Sequence, residues 1–183
     1  MTSAEPLSEF RLATIASLAQ RSERRLGRTA VMKLAFLLQV LRGYPLMYSF
    51  RLYTYGPYDG QVLEDLKVAE IRGGIHSAAF IWAGGVGYEI SKGDNVESLL
   101  KGANLTEKQS NDLDWVLSEF GNRTAGDLEI ASTIVFVDRE LERQGKRGSI
   151  EDVVTRVHAI KPHHSVERIN EEARRLQSKG WLS

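Results

Sequence analysis

The chain of 183 residues reads as mainly α with a small β-hairpin, an α+β fold. Three observations predict it. Apolar residues recur at helical spacing along most of the length. One aromatic stretch alternates at strand period. Glycines cluster between two short apolar runs that can pair as a hairpin. Composition agrees, with 42% hydrophobic and 26% charged residues, as in an ordinary globular protein. The absence of cysteine excludes disulfides and thiolate metal sites. No apolar run approaches the ~20 residues of a membrane span. The opening MTSAEPLSEF lacks the basic-then-apolar pattern of a secretory signal, so a cytoplasmic protein is expected.

The elements follow in order. Leu7 to Arg25 is predicted as a first helix, with Phe10, Ile15 and Leu18 among its apolar positions. Thr29 to Leu41 is apolar nearly all round, broken only by Lys33 and Gln39, which marks a buried central helix. Gly43 and Pro45 end it. Tyr48 to Tyr55 reads as a strand, with Tyr48, Phe50 and Leu52 on one side and Arg51, Tyr53 and Tyr55 on the other. Gly56-Pro57 is read as a turn, with Pro57 at the first position of a helix running from Tyr58 to Arg72. That helix carries Val62, Leu66, Ala69 and Ile71. Residues 75–92 read as the hairpin, with Gly84, Gly85 and Gly87 supplying positive φ at the turn.

The remainder is helical. A short helix spans Asn95 to Lys101, and Thr106-x-x-Gln109 fits a capping box for a helix reaching Phe120. Thr124-x-x-Asp127 opens a helix with an Ile130, Ile134, Val137 and Leu141 stripe. Ser149-x-x-Asp152 opens the next, and Ser165 caps the last, whose stripe is Val166, Ile169, Ala173 and Leu176. Trp181-Leu182 should fold back past Gly180. The order helix, helix, strand, helix, hairpin is that of a winged-helix module. The expected organisation is therefore a winged-helix-like part over 1–101 packed on a helical part over 102–183, the two sharing one core. Residues 102–105 mark the boundary.

The segment from Arg28 to Ile75 resembles the YwgA-type bacterial proteins, which are similar in turn to the SocA-like Panacea antitoxin domain. The carriers are Lys33-Leu34-Ala35-Phe36, the aromatic Phe50 to Tyr53, Tyr55-Gly56-Pro57-Tyr58 and Gly73-Gly74-Ile75. Asp127 to Ile134 and Lys161-Pro162-His163-His164-Ser165 fit the same pattern. The resemblance implies a helical, partly winged fold and a non-catalytic role. In the antitoxin branch it implies binding and neutralising a partner protein, such as a toxin encoded nearby.

Charge sharpens the choice of partner. The 24 basic and 24 acidic residues cancel, which excludes a simple polybasic nucleic-acid binder. The distribution is uneven: 8 basic and 4 acidic in residues 1–60, 8 and 15 in 61–145, 8 and 5 in 146–183. A winged-helix reader would insert the helix at 58–72 into DNA, yet Asp59, Glu64, Asp65 and Glu70 there outnumber Lys67 and Arg72. The helix at 165–179 offers Arg168, Arg174, Arg175 and Lys179, but Glu167, Glu171 and Glu172 make a salt-bridged face the simpler account.

Two surfaces stand out for a protein partner. Arg21, Arg24, Arg25 and Arg28 crowd eight residues, and on a continuing helix Arg21, Arg25 and Arg28 would share one face. The alternative is a solvated helix end. Arg51, Tyr53, Tyr55 and Tyr58 combine cation and aromatics, the mixture that anchors interfaces; core packing is the alternative. His158, His163, His164 and Glu167 have metal-ligand chemistry, but adjacent histidines in a loop seldom converge, so neither metal nor cofactor is expected. Asp127 and Glu129 are read as capping and helix-surface residues. Residues 83–87 join strand to strand and cannot cradle phosphate. No catalytic set has a recognisable context. The expectation is a non-enzymatic, antitoxin-like protein-binding module that masks or delivers its partner. The alternative is a winged-helix DNA-binding regulator, and a homo-oligomer is compatible with either.

Overall fold

A computed structural model describes residues 4–82, 85–146 and 148–183. The fold is mainly α with a small β content, as the sequence predicts, but it carries two small antiparallel hairpins where one was expected. The chain divides into two compact units. One comprises Met1–Phe50 and Asp59–Ala125; the other comprises Arg51–Tyr58 and Gly126–Ser183. This division falls further along than the 102–105 stretch, and it assigns the 51–58 segment to the second unit.

The first unit contains α1 (Ala4–Arg21), α2 (Arg28–Arg42), α3 (Gly60–Ile71), β3 (Ile75–Trp82), β4 (Gly85–Lys92), α4 (Val96–Ala103), α5 (Glu107–Val116) and a π turn (Leu117–Gly121). Helix α2 is the central helix expected: every residue from Ala30 to Leu38 is buried, Lys33 included. Gly43 ends it in the left-handed region, φ 62°. Helix α1 stops four residues short of Arg25, and Leu26 instead bridges Ile90 of β4 through two backbone hydrogen bonds of 3.1 and 2.7 Å. Leu26 is fully buried, so the apolar periodicity that runs on past α1 reflects burial of an extended residue.

Helix α3 begins at Gly60, capped by Asp59, whose carboxylate accepts from the Gln61 and Ser49 amides at 2.9 and 2.6 Å. Buried Tyr48 donates to Asp65 on α3 at 2.7 Å. Burial, reinforced by the Asp65 charge, pushes the Tyr48 phenol above its ordinary range and keeps it a donor. Ile71, expected inside, is 84% exposed. The β3–β4 register pairs Ile75 with Lys92 and Phe80 with Gly87. Gly87 does not have positive φ; a Cβ there would lie 2.4 Å from the Phe80 ring, so the position is glycine for close approach. Gly84 lies outside the described residues. The α5 capping box forms between Thr106 and Gln109, but α-helix gives way to the π turn at Leu117. Buried Asp112 on α5 accepts from Arg42 Nε and Lys108 Nζ, each at 2.7 Å. Burial alone would raise its pKa; these two donors more than reverse that and hold it below the ordinary value.

The second unit contains the hairpin β1 (Arg51–Tyr53) and β2 (Gly56–Tyr58), with α6 (Ala125–Arg143), α7 (Ile150–Ile160) and α8 (Val166–Ser178). The predicted strand at 48–55 is thus only three residues long. Pro57 does not open a helix; it lies in β2, paired with Leu52. On a two-stranded hairpin its missing N–H costs no ladder bond on the outer edge. Ile130, Ile134, Val137 and Leu141 are buried as predicted. The α7 capping box is closed by Ser149 and Asp152, and Ser165 caps α8 through the Arg168 amide. Val166 is 44% exposed, so the α8 stripe begins at Ile169. After Gly180 the Trp181 amide returns to the Leu176 carbonyl at 3.0 Å. Among the described residues no helix is long and apolar enough to cross a membrane.

Candidate functional site

The four arginines of 21–28 do not form one helical face, because α1 ends at Arg21. Each has an internal use. Arg21 meets Asp114 at 2.9 Å and donates to the Ser110 carbonyl and hydroxyl, both at 3.0 Å. Arg24 donates to the Arg123 carbonyl at 2.8 Å, and Arg25 pairs with Glu89 at 2.7 Å. The Arg28 guanidinium stacks 3.4 Å from the Tyr88 ring centroid. These contacts tie the loop between α1 and α2 to α5, to the chain after the π turn and to β4. A cleft of about 210 Å³ beside the π turn is lined by Arg21, Glu23, Asp114 and Asn122, below the ~300 Å³ at which small-molecule sites begin.

Helix α3 is equally committed. Asp59 and Asp65 are held as described, Glu64 pairs with Lys67 at 2.8 Å, and Arg72 pairs with Glu9 on α1. The described part of the hairpin tip beyond it is apolar, with Phe80, Ile81 and Val86 44%, 88% and 60% exposed.

Hairpin β1–β2 behaves differently. Leu52 is half-buried, while Arg51, Tyr53, Tyr55 and Tyr58 lie on the exposed side, Tyr53 and Tyr55 each 67% exposed. The alternation predicted for Arg51 to Tyr53 therefore holds. Tyr53 and Tyr58 pack ring against ring at 5.6 Å. Arg51 makes no ion pair, and the three phenol hydroxyls no hydrogen bond, among the described residues. The turn is held from within the unit, where Lys161 Nζ donates to the Thr54 carbonyl.

Lys161 belongs to a polar cluster that sequence reasoning placed wrongly. It is 1% exposed and lies 2.8 Å from Glu129 Oε1 on α6. Glu129 is buried, not a helix-surface residue. Burial runs unbroken from Leu128 to Val135, so the carboxylate within that stretch is enclosed. His163 Nε2 approaches the same oxygen at 3.6 Å, and the His163 and His164 rings lie 4.2 Å apart. Ligand atoms of Glu129, His163 and His164 all fall within 4.8 Å of one another. His158 is outside this group; its Nδ1 lies 3.1 Å from the His164 carbonyl. Glu167 is not brought in. Burial, aided by His163, lowers the His164 pKa and keeps the imidazole neutral. Asp127 pairs with Arg168 at 2.6 Å.

Compared with known proteins, the chain matches no family model and no curated protein.

Proposed function

We propose that the chain is a non-enzymatic protein-binding module of the antitoxin-like kind, which masks or delivers a partner protein. The observation that carries this reading is hairpin 51–58. It presents Arg51, Tyr53, Tyr55 and Tyr58 outward on a short two-stranded scaffold whose turn is anchored by Lys161. Tyrosine and arginine are the residue types that supply most interface energy, and a pinned hairpin loses little entropy on docking. The basic segment 21–28, expected to share this role, is engaged within its own unit and is not carried forward as a contact surface. The resemblance to antitoxin-like proteins, dense around the same Tyr-Gly-Pro element, agrees. So does the absence of cysteine, which fits a cytoplasmic protein.

The DNA-binding alternative weakens with the same contacts. The four arginines meant for phosphates are occupied, and the exposed tip of β3–β4 is apolar rather than cationic.

Co-expression tests the proposal. The adjacent reading frame, toxic alone, should become harmless when produced with this chain, and the two products should co-purify. Tyr53→Ala/Tyr55→Ala should abolish both effects while leaving the fold intact. A double variant that still neutralises and co-purifies would overturn the assignment of the hairpin. Tight duplex binding with a steep salt dependence would favour the DNA reading instead.

A further inference from the structure

We propose that Glu129, His163 and His164 form a binding site for a divalent late-transition ion of the Zn²⁺ type, with one carboxylate and two imidazoles as protein ligands. Two independent observations point there. One ligand atom from each residue falls within 4.8 Å of the others, and His163 Nε2 and Glu129 Oε1 lie 3.6 Å apart, against the ~3.4 Å edge of a tetrahedron with Zn–ligand distances of ~2.1 Å. Among the described residues five buried side-chain polar atoms lack a hydrogen-bond partner, and three of them are hydroxyls. The other two, Glu129 Oε1 and His164 Nε2, are the only ones on titratable groups, and both lie in this cluster. Glu129 Oε1 is charge-paired with Lys161 at 2.8 Å, which leaves His164 Nε2 as the buried ligand atom without a partner, and such an atom is costly and calls for one, such as an ion.

The surroundings suit a metal. His164 is 9% exposed, and its Nε2 has no hydrogen-bond partner among the described residues. His163 is 59% exposed at the side chain and opens a path from solvent. The loop carrying both histidines is fixed by the His164 amide on the Lys161 carbonyl at 3.1 Å and by the His158 contact to the His164 carbonyl. Two imidazoles and a carboxylate select Zn²⁺ or Co²⁺ over Mg²⁺ or Ca²⁺, which prefer oxygen ligands, and leave a fourth position for water.

Lys161 is the competitor. Its ammonium lies 2.8 Å from Glu129 Oε1, in ion-pair contact without hydrogen-bond geometry, and so acts as a resident cation. An incoming metal displaces it from the carboxylate. The Thr54 carbonyl then remains as its acceptor, so the lysine is not stranded. Competition of this kind weakens metal binding in the natural chain and gives the site a signature that a surface histidine pair does not have.

The test is calorimetric titration of Zn²⁺, and visible spectroscopy with Co²⁺, on the full chain after chelator treatment. One ion per chain is expected, with a tetrahedral Co²⁺ spectrum. His163→Asn, at an exposed position that tolerates change, should weaken binding at least tenfold, and Glu129→Gln should abolish it. Lys161→Met should tighten Zn²⁺ binding at least tenfold, and Zn²⁺ should raise its melting temperature more than that of the natural chain. His76→Asn, remote from the cluster, should change nothing. Binding that survives His163→Asn, or weakens in Lys161→Met, would overturn the proposal, as would the absence of stoichiometric binding in the natural chain.

Discussion

Segment 21–28 and hairpin 51–58 concentrate the residue types that dominate protein interfaces, and the fold uses them in opposite ways. In the first, four arginines terminate on carboxylates, backbone carbonyls and one aromatic ring of their own unit. In the second, the polar anchor is a lysine beneath the turn, while one arginine and three tyrosines stay outside. The difference teaches that a run of cations is weak testimony for a binding surface. A guanidinium reaches far and has five donors, so a helix end or a loop that lacks backbone partners can consume it. A tyrosine on the outer side of a two-stranded hairpin has no such internal use.

The comparison is broken most severely at the anchor. Lys161→Met leaves the buried Glu129 carboxylate without its cation and removes the donor to Thr54. Loss of one partner of a buried pair costs ~3–5 kcal/mol, which urea unfolding would read as a large drop in midpoint. A variant of wild-type stability would show that the hairpin is not held from beneath.

Next in size is Asp112, which consumes Arg42 and Lys108 as Asp114 consumes Arg21. Asp112→Asn should cost ~2–3 kcal/mol, because two charge-assisted hydrogen bonds weaken at a buried acceptor, while the cations, 40% and 71% exposed, regain water. The pH dependence has a definite sign. The folded carboxyl titrates below its ordinary value of 3.8, so its contribution is fully present above that pH and is lost as pH falls through the folded value. Acid unfolding of Asp112→Asn should therefore lack the part of the transition that lies below pH 3.8. An unchanged acid profile would refute the ion-pair account.

Much of this was legible in the chain itself. The capping boxes at Thr106 and Ser149, the buried α2 and the β3–β4 hairpin follow from local spacing, because their partners lie within a few residues or on one face. What local spacing could not supply was competition from afar. Leu26 leaves the helical register because Ile90, far along the chain, offers a bridge. Gly56-Pro57-Tyr58 pairs backward with 51–53 rather than opening a helix, because Asp59 already provides a better cap. His163 and His164 converge on Glu129, a residue 34 positions before the first of them, and not on nearby Glu167. The fold class was readable; the identity of the site's members depended on tertiary pairing.

Arg21 tests the consumed side of the comparison directly. Arg21→Ala removes three contacts at a side chain 28% exposed, two of them to Ser110, against an Asp114 that is 63% exposed. Exposure discounts the ion pair to a few tenths of a kcal/mol. The hydrogen bonds to the Ser110 carbonyl and hydroxyl keep the total near ~1–2 kcal/mol. Stability should fall by that amount while partner binding, per folded molecule, is unchanged. Loss of partner binding without loss of stability would return segment 21–28 to the interface.

The smallest stability effect belongs to the hairpin's outer side, and it is the most diagnostic. Tyr53→Ala/Tyr55→Ala removes rings that are 67% exposed, and only Tyr53 has an aromatic neighbour, Tyr58 at 5.6 Å. Substitutions at such positions change stability by ~0.5 kcal/mol or less each. Buried in an interface, the same rings are worth ~2 kcal/mol each or more, so affinity for the partner should fall by a hundredfold or beyond. The ratio of the two effects carries the argument. A residue serving only the fold loses stability and keeps binding per folded molecule, as Arg21 is positioned to do, whereas Lys161, beneath the hairpin turn, loses stability and binding together. A residue serving a partner loses only the second. Measuring urea midpoint and partner affinity on the same double variant separates the cases, and a stability loss above ~2 kcal/mol would assign these tyrosines to packing and leave the hairpin without a binding role.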